Sequence, residues 1–367
     1  MSLRLGPNLL ALVLATLVAA APAAAHPDKS PRVVASGLDN PRGLAVDHRG
    51  TVYVTEAGTG GTGPCIAGPE GDEICAGATG AVTKAWHGGQ RRIVEGLPSL
   101  AAPGGASAIG PSDIHLRHWG GAYLTVGLGA DPAVRDALGE LGPSFGLLHK
   151  LSRHDGLRTV ADIAAFEATA NPDGGLPDSN PHSVTTRRGR TYVVDAGGNS
   201  LLRVHRSGEI STVAVFPDRL VDAPPGIPDL PPQLPMQAVP TSVVVGPDGA
   251  LYVSQLTGFP FPPGAANIYR VEPGSEPEVY ASGFTNVTDL AFDRRGNLYV
   301  LEFAANGILS GDPTGALTRV GRDGSHEPVA IEGLVNPTGL AIGRKGELYI
   351  SNHGAEPDAG EVLRIRP

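Results

Sequence analysis

The sequence predicts an all-β chain built from one repeated unit, on three observations. A short apolar run, a polar turn ending in glycine and a second apolar run make a hairpin from Pro41 to Glu56, and the same pattern returns from Pro337 to Asn352. A hairpin written repeatedly along a chain is the mark of a repeat array. Tyrosine holds the same site in the second run of every copy, at Tyr53, Tyr123, Tyr192, Tyr252, Tyr299 and Tyr349. Finally, 51 glycines and 34 prolines supply turns while apolar content stays at 41%, too high for a disordered chain.

The first residues stand apart from the repeats. Arg4 precedes an apolar run from Leu9 to Ala21, and after Pro22 come the small residues Ala23, Ala24 and Ala25. That order reads as a signal peptide over residues 1–25, leaving residues 26–367 as a single domain. The run is short for a bilayer span, and no cysteine follows it to take a lipid. A secreted mature chain without a transmembrane segment is therefore expected. A formal charge of −9 with no basic cluster argues against a nucleic-acid partner.

Innermost strands are predicted to begin at Pro41, Pro111, Pro181, Pro240, Val287 and Pro337, each followed by its tyrosine-bearing second strand. Third strands follow over residues 81–86, 146–151, 201–205, 267–271, 317–320 and 361–365, and fourth strands over 92–96, 157–163, 210–216, 278–283 and 328–333. The sixth unit lacks a fourth strand because the chain ends. Residues 32–38, Arg-Val-Val-Ala-Ser-Gly-Leu, have the same form as the outer strands around Gly283 and Gly333. An N-terminal strand that completes the last unit closes a ring and removes its exposed edges. The reading is a six-bladed β-propeller of four-stranded blades.

Loop lengths are uneven. Turns between first and second strands are tight, such as Pro247-Asp248-Gly249, whereas the insertions at 57–80, 98–110, 127–144, 164–180, 217–239, 256–266 and 303–315 all fall on the opposite face. Insertions gathered on one face of a repeat array mark its binding face. Cys65 and Cys75 lie in the first of these loops and suit a disulfide in an oxidising compartment; a zinc site would want further Cys or His ligands in the loop, and it has none.

Candidate chemistry clusters on the long-loop side. The second strands end in Glu56, Asp195, Gln255, Glu302 and Asn352, which could form a polar ring at the tunnel mouth. Such a ring could hold a divalent cation (calcium, magnesium or zinc), with Glu56, Asp195 and Glu302 as candidate metal ligands, or supply a general base. The alternative is that each side chain bonds otherwise unsatisfied backbone of the links between blades. Asn40, Asn180, Asn286 and Asn336 precede inner strands as turn residues. His182 takes the place held elsewhere by Arg42, Ser112, Thr241, Thr288 and Thr338, and with Asp113 and Asp289 it could make an acid/base or metal cluster in the tunnel. Phe259 and Phe261 stand among prolines as an apolar lip or a core lid, and residues 171–178 are oxygen-rich but lack the alternating acids of a calcium loop.

At residues 239–253, continuing to Leu256-Thr257-Gly258-Phe259-Pro260-Phe261, and at Gly63-Pro64-Cys65 to Cys75, the chain resembles the ScyD/ScyE-like family of exported propellers. The resemblance covers essentially the mature chain and implies export and a six-bladed fold without a defined activity. The Asn-Pro-x-Gly-Leu-Ala hairpins are also similar to those of quinoprotein sugar dehydrogenases and calcium-dependent lactonases. Arg42-Gly43, however, stands where the lactonases place a metal-binding glutamate. Streptogramin-lyase-like propellers use a His and Glu pair that His353 with Glu302 could imitate. The expected function is ligand or partner binding, or scaffolding, by a monomer through its long-loop face around the tunnel, with a small molecule or extracellular partner. The alternative is a metal-assisted lyase or lactonase at the tunnel mouth.

Overall fold

The computed structural model describes residues 30–69, 71–118, 120–152, 156–225 and 229–366, so the signal-peptide expectation lies outside the described residues. Six four-stranded antiparallel blades form the ring. Blade six is closed by Arg32–Leu38, which pairs antiparallel with Gly360–Ile365, so the strand nearest the N-terminus and the last strand share one sheet. Inner strands begin at Pro41, Pro111, Pro181, Pro240 and Val287 as expected. Proline is tolerated there because the first residue of an innermost strand has no partner on the tunnel side to receive its missing N–H.

The repeat tyrosine explains the core. Six apolar clusters fill the six gaps between adjacent blades, and each contains one of these tyrosines, reaching from its own second strand toward the following blade. Tyr192, at 1% exposure, sits with Val194, Val243 and Val253 between blades three and four; Tyr349 sits with Ala35, Leu44 and Val54 across the closure. A half-polar aromatic at one fixed strand position thus supplies the apolar bulk of every blade interface.

Several boundaries differ from the sequence expectation. Blade five's outer strand is His326–Pro328, not 328–333, and blade six's inner strand starts at Gly339. In blade one the third and fourth strands lengthen to Glu73–Trp86 and Gly89–Ala101, because the cysteine loop folds back as a further strand, Cys65–Ala67, paired on the third. The Cys65–Cys75 disulfide joins that strand to its partner. The insertion at 217–239 contains a hairpin, Arg219–Asp222 with Gln233–Met236. Within the link from blade two to blade three lies a helix, Ile163–Ala170, capped by the Asp162 carboxylate accepting from the Ala165 N–H and ended by Asn171 in the left-handed region.

The closure is fastened by side chains as well as by backbone. Gln90 in blade one donates to the Ser36 carbonyl and accepts from the Ser36 N–H, copying a strand's hydrogen-bonding edge against the closing strand. Arg92 donates to both Asp39, just after that strand, and Glu56 of blade one. The other Asp39 oxygen accepts from the Asp358 N–H in blade six.

Candidate functional site

Each inner strand of blades one to five carries a register shift immediately after its first residue. Such a bulge leaves a residue out of the ladder and re-aims its side chain. The bulged positions include Arg42, Ser112, His182, Thr241 and Thr288, and Thr338 holds the equivalent place in blade six. The tunnel lining at the long-loop end is therefore written by one position per blade.

Four of these residues and two second-strand threonines build a closed circle of hydrogen bonds. Thr338 donates to the Pro41 carbonyl at 2.7 Å, Thr288 to Pro337 at 3.0 Å, Thr241 to Val287 at 2.7 Å, and His182 Nδ1 to Thr241 at 2.7 Å. Thr55 and Thr125, from second strands, complete the turn by donating to the Ser112 and His182 carbonyls at 3.0 and 3.2 Å. Every blade is thereby tied to the next through a carbonyl of an inner strand or, at Pro337, of the residues just before it.

Asp113 and Asp289 lie one step along, on opposite blades. Asp113 accepts from the Ile114 and Val184 N–H groups and the Ser183 hydroxyl; Asp289 accepts from the Leu290 and Leu340 N–H groups and the Ser242 hydroxyl. Burial raises both carboxyl pKa values, and with the added charge of Asp113 that of Asp289 reaches about 7. These aspartates brace neighbouring inner strands, and their acceptor capacity is largely used in doing so.

Two groups at the mouth remain chemically open. Arg42 makes one hydrogen bond among the described residues, from Nη2 to the Ala108 carbonyl at 2.6 Å, and pairs with no carboxylate; burial lowers its pKa to about 10. His182 is held neutral, its pKa depressed to about 4 by burial and further by the nearby Arg42 charge. Because Nδ1 must carry the proton given to the Thr241 carbonyl, Nε2 presents a lone pair. A desolvated cation beside a neutral imidazole suits an anion or a carbonyl, with the histidine as hydrogen-bond acceptor or base.

The second-strand acids are placed otherwise than a ring at the mouth would need. Glu56 accepts from the Asp39 N–H, Asp195 from Asn180, Glu302 from Thr285 and Asn352 from Val335, each tying down the link into its own blade. Gln255 instead accepts from the Asn267 N–H and Arg219. Glu56, Asp195, Gln255 and Asn352 are fully buried and Glu302 nearly so. Among the described residues, Glu56, Asp195 and Glu302 do not gather into a metal-sized group; the group of that size is Cys65, Glu73 and Cys75, whose sulfurs form the disulfide and so offer no thiolates. His353 lies against Glu356, not Glu302. Phe259, 42% exposed, and Phe261 make an edge-to-face pair on the blade-four loop.

With Arg42 as a fixed cation and the aspartates engaged, the tunnel mouth is a poor cage for a divalent ion. A groove of about 910 Å³ opens on the opposite, short-turn face, lined by Arg117, Lys150, Arg158, Arg190, Arg203 and Arg206. Arg158, Arg190 and Arg206 there are exposed, so their charges remain hydrated, unlike that of Arg42. Sequence reasoning passed over this groove because its cations come from separate turns, with no basic run to find.

No family model matches the chain, and no curated protein matches it. Among solved structures it is similar to a glucose dehydrogenase (14% identity, covering 92% of this chain and 99% of that one, TM-score 0.57). It is also similar to a protein described as a gluconolactonase (13%, 93% and 93%, TM-score 0.52) and to the calcium-binding protein regucalcin from Agrobacterium tumefaciens (14%, 92% and 93%, TM-score 0.51). At these identities the likeness is one of fold: all share the propeller architecture.

Proposed function

We propose that the protein binds a small organic anion at the long-loop end of its tunnel, Arg42 anchoring the anionic group and His182 Nε2 accepting a hydrogen bond from a hydroxyl of the same molecule. The observation that carries this reading is the desolvated Arg42 guanidinium, with one hydrogen bond to a backbone carbonyl and no acidic partner among the described residues. A half-buried guanidinium so placed keeps most of its N–H donors for a ligand, and a carboxylate matches their fork. The apolar leader, the disulfide and the ScyD/ScyE-like resemblance support an exported protein that meets this ligand outside the cytoplasm.

Calorimetric titration with a panel of carboxylates and their neutral amides tests the reading. Acids should bind and amides should not. Arg42→Gln should lose one charge-assisted interaction, about 1.5–3 kcal/mol, or about 10- to 150-fold in Kd. Equal binding of acid and amide, or an unchanged Kd in Arg42→Gln, refutes it.

A second reading, a lyase or lactonase at the same mouth, draws on the neutral His182. A base of pKa about 4 beside a cation could take a proton adjacent to a carboxyl or carbonyl group. It predicts turnover that is flat from pH 8 to about 5 and lost in His182→Gln. Binding without turnover across a lactone and uronate panel leaves the binding reading alone.

A further inference from the structure

The link from blade two to blade three carries a second feature that the tunnel does not use. Helix Ile163–Ala170 presents Glu167, 1% exposed, and neither of its carboxylate oxygens has a hydrogen-bond partner. Asp178 Oδ1 and Asn171 Oδ1 are likewise buried and unpartnered. Glu167 and Asp178 approach the turn after blade three's second strand. A Cβ on Gly198 would lie 2.5 Å from Glu167 Oε2 and 3.5 Å from the Asp178 carbonyl oxygen, and one on Gly197 would lie 2.6 Å from Asp178 Oδ1. Only glycines let these oxygens come so near the backbone.

Two further carboxylates frame the cluster. Asp195 accepts from the N–H groups of Asn180 and Gly198 and from the Ser179 hydroxyl, and Asp173 accepts from the Asn199 amide at 2.9 Å. Asp173, Asp178 and Asp195 all repel charge on Glu167, and Asp131 does the same to Asp178. Among the described residues none of these acids joins an ion pair.

Burying unpaired carboxylates costs several kcal/mol unless something neutralises them. A proton on Glu167 would supply one donor and leave Asp178 Oδ1 and Asn171 Oδ1 unmet. A cation held between Glu167 and Asp178 would neutralise both carboxylates, and a set made only of oxygens favours a hard one. We infer that this cluster is a calcium-type divalent-cation site, with Glu167 and Asp178 as charged ligands and the Asn171 amide oxygen as a neutral ligand. The carboxylates are not all within 4.8 Å of one another, so binding draws the helix end toward the link. The inference is independent of what the tunnel binds.

The test is equilibrium dialysis of chelator-stripped full chain against calcium, with thermal unfolding alongside. One calcium per chain, a melting temperature raised by several degrees, and magnesium at least about tenfold weaker are expected. Glu167→Gln, which keeps the side-chain volume and removes charge, should weaken calcium binding at least about tenfold, and Asp178→Asn should do the same. Wild-type protein that binds no calcium at about 5 mM overturns the inference, as do variants that bind like wild type. A melting temperature raised by Glu167→Gln equally with and without calcium also overturns it, because Glu167 is then a buried neutral acid.

Discussion

Replacing Arg92 with methionine tests what holds the ring shut. Glu56 is fully buried and accepts from the Asp39 N–H at 2.9 Å, the Thr83 hydroxyl at 2.5 Å, and Arg92 Nε and Nη2 at 3.2 and 2.6 Å. The same Nη2 donates to Asp39 at 2.7 Å. Methionine keeps the aliphatic stem and removes the charge, leaving Glu56 with two neutral donors. Removing one partner of a fully buried ion pair costs about 3–5 kcal/mol. Arg92 itself is 36% exposed, so water can replace part of what is lost, and the expected cost is about 2–3 kcal/mol. Urea unfolding should show a lower midpoint at unchanged m, little relieved or worsened by salt because the carboxylate is out of solvent. The Glu56→Gln and Arg92→Met double-mutant cycle should give a coupling above about 1 kcal/mol. A loss below about 0.5 kcal/mol, or one that vanishes in 1 M salt, would show an ordinary surface pair and refute the lock.

Three other perturbations follow from the same geometry. His115, His149 and His182 are all depressed to about 4 by burial, so each is neutral in the fold and takes up a proton first on unfolding. Their contribution is complete above the ordinary histidine pKa and is lost as pH falls from about 6.5 to 4; His182→Asn should flatten that limb by at most about 3 kcal/mol in pH-dependent urea melts, and an unchanged limb counts against a buried neutral imidazole. Gly339→Ala should destabilise by about 1–3 kcal/mol, since its Cβ would lie 2.5 Å from the Arg42 carbonyl oxygen in the inner ring, and a neutral result would mean that the inner strands can spread. Reducing the Cys65–Cys75 disulfide, which closes a loop with a sequence separation of 10, should cost at most about 3 kcal/mol and show first as protease cutting within that loop. Cutting elsewhere at the same rate would contradict a local role.

The repeat made much of this fold legible. Tyrosine at one site of second strands reflects a local requirement met the same way in every blade, so one sequence contains six readings of it; proline at the head of four inner strands and the outer-strand form of residues 32–38 add to it. The site was less legible. Glu56 and Glu302 sit at a repeated position because the links into four of the blades have a backbone N–H to satisfy, and the same regularity suggested a ring of ligands. Arg42 and His182 were visible as departures from a threonine or serine position, but only the bulges show why that position faces the tunnel. Glu167 escaped notice because it precedes the oxygen-rich loop by a helical turn and reaches Asp178 through a chain reversal that no spacing rule describes.

Pairing of the closing strand has a topological consequence. Arg32 lies opposite Arg364 in neighbouring strands of one sheet, so the described chain is nearly a circle with one cut. Joining those ends with a short flexible linker and reopening the chain in a tight turn such as residues 247–249 would create a circular permutant with the same six blade interfaces. In that permutant strand 32–38 becomes an internal segment, and its pairing no longer depends on capturing a free end. Such a molecule should fold faster than the parent where recruitment of that strand limits the parent's rate, because the long-range loop closure becomes local.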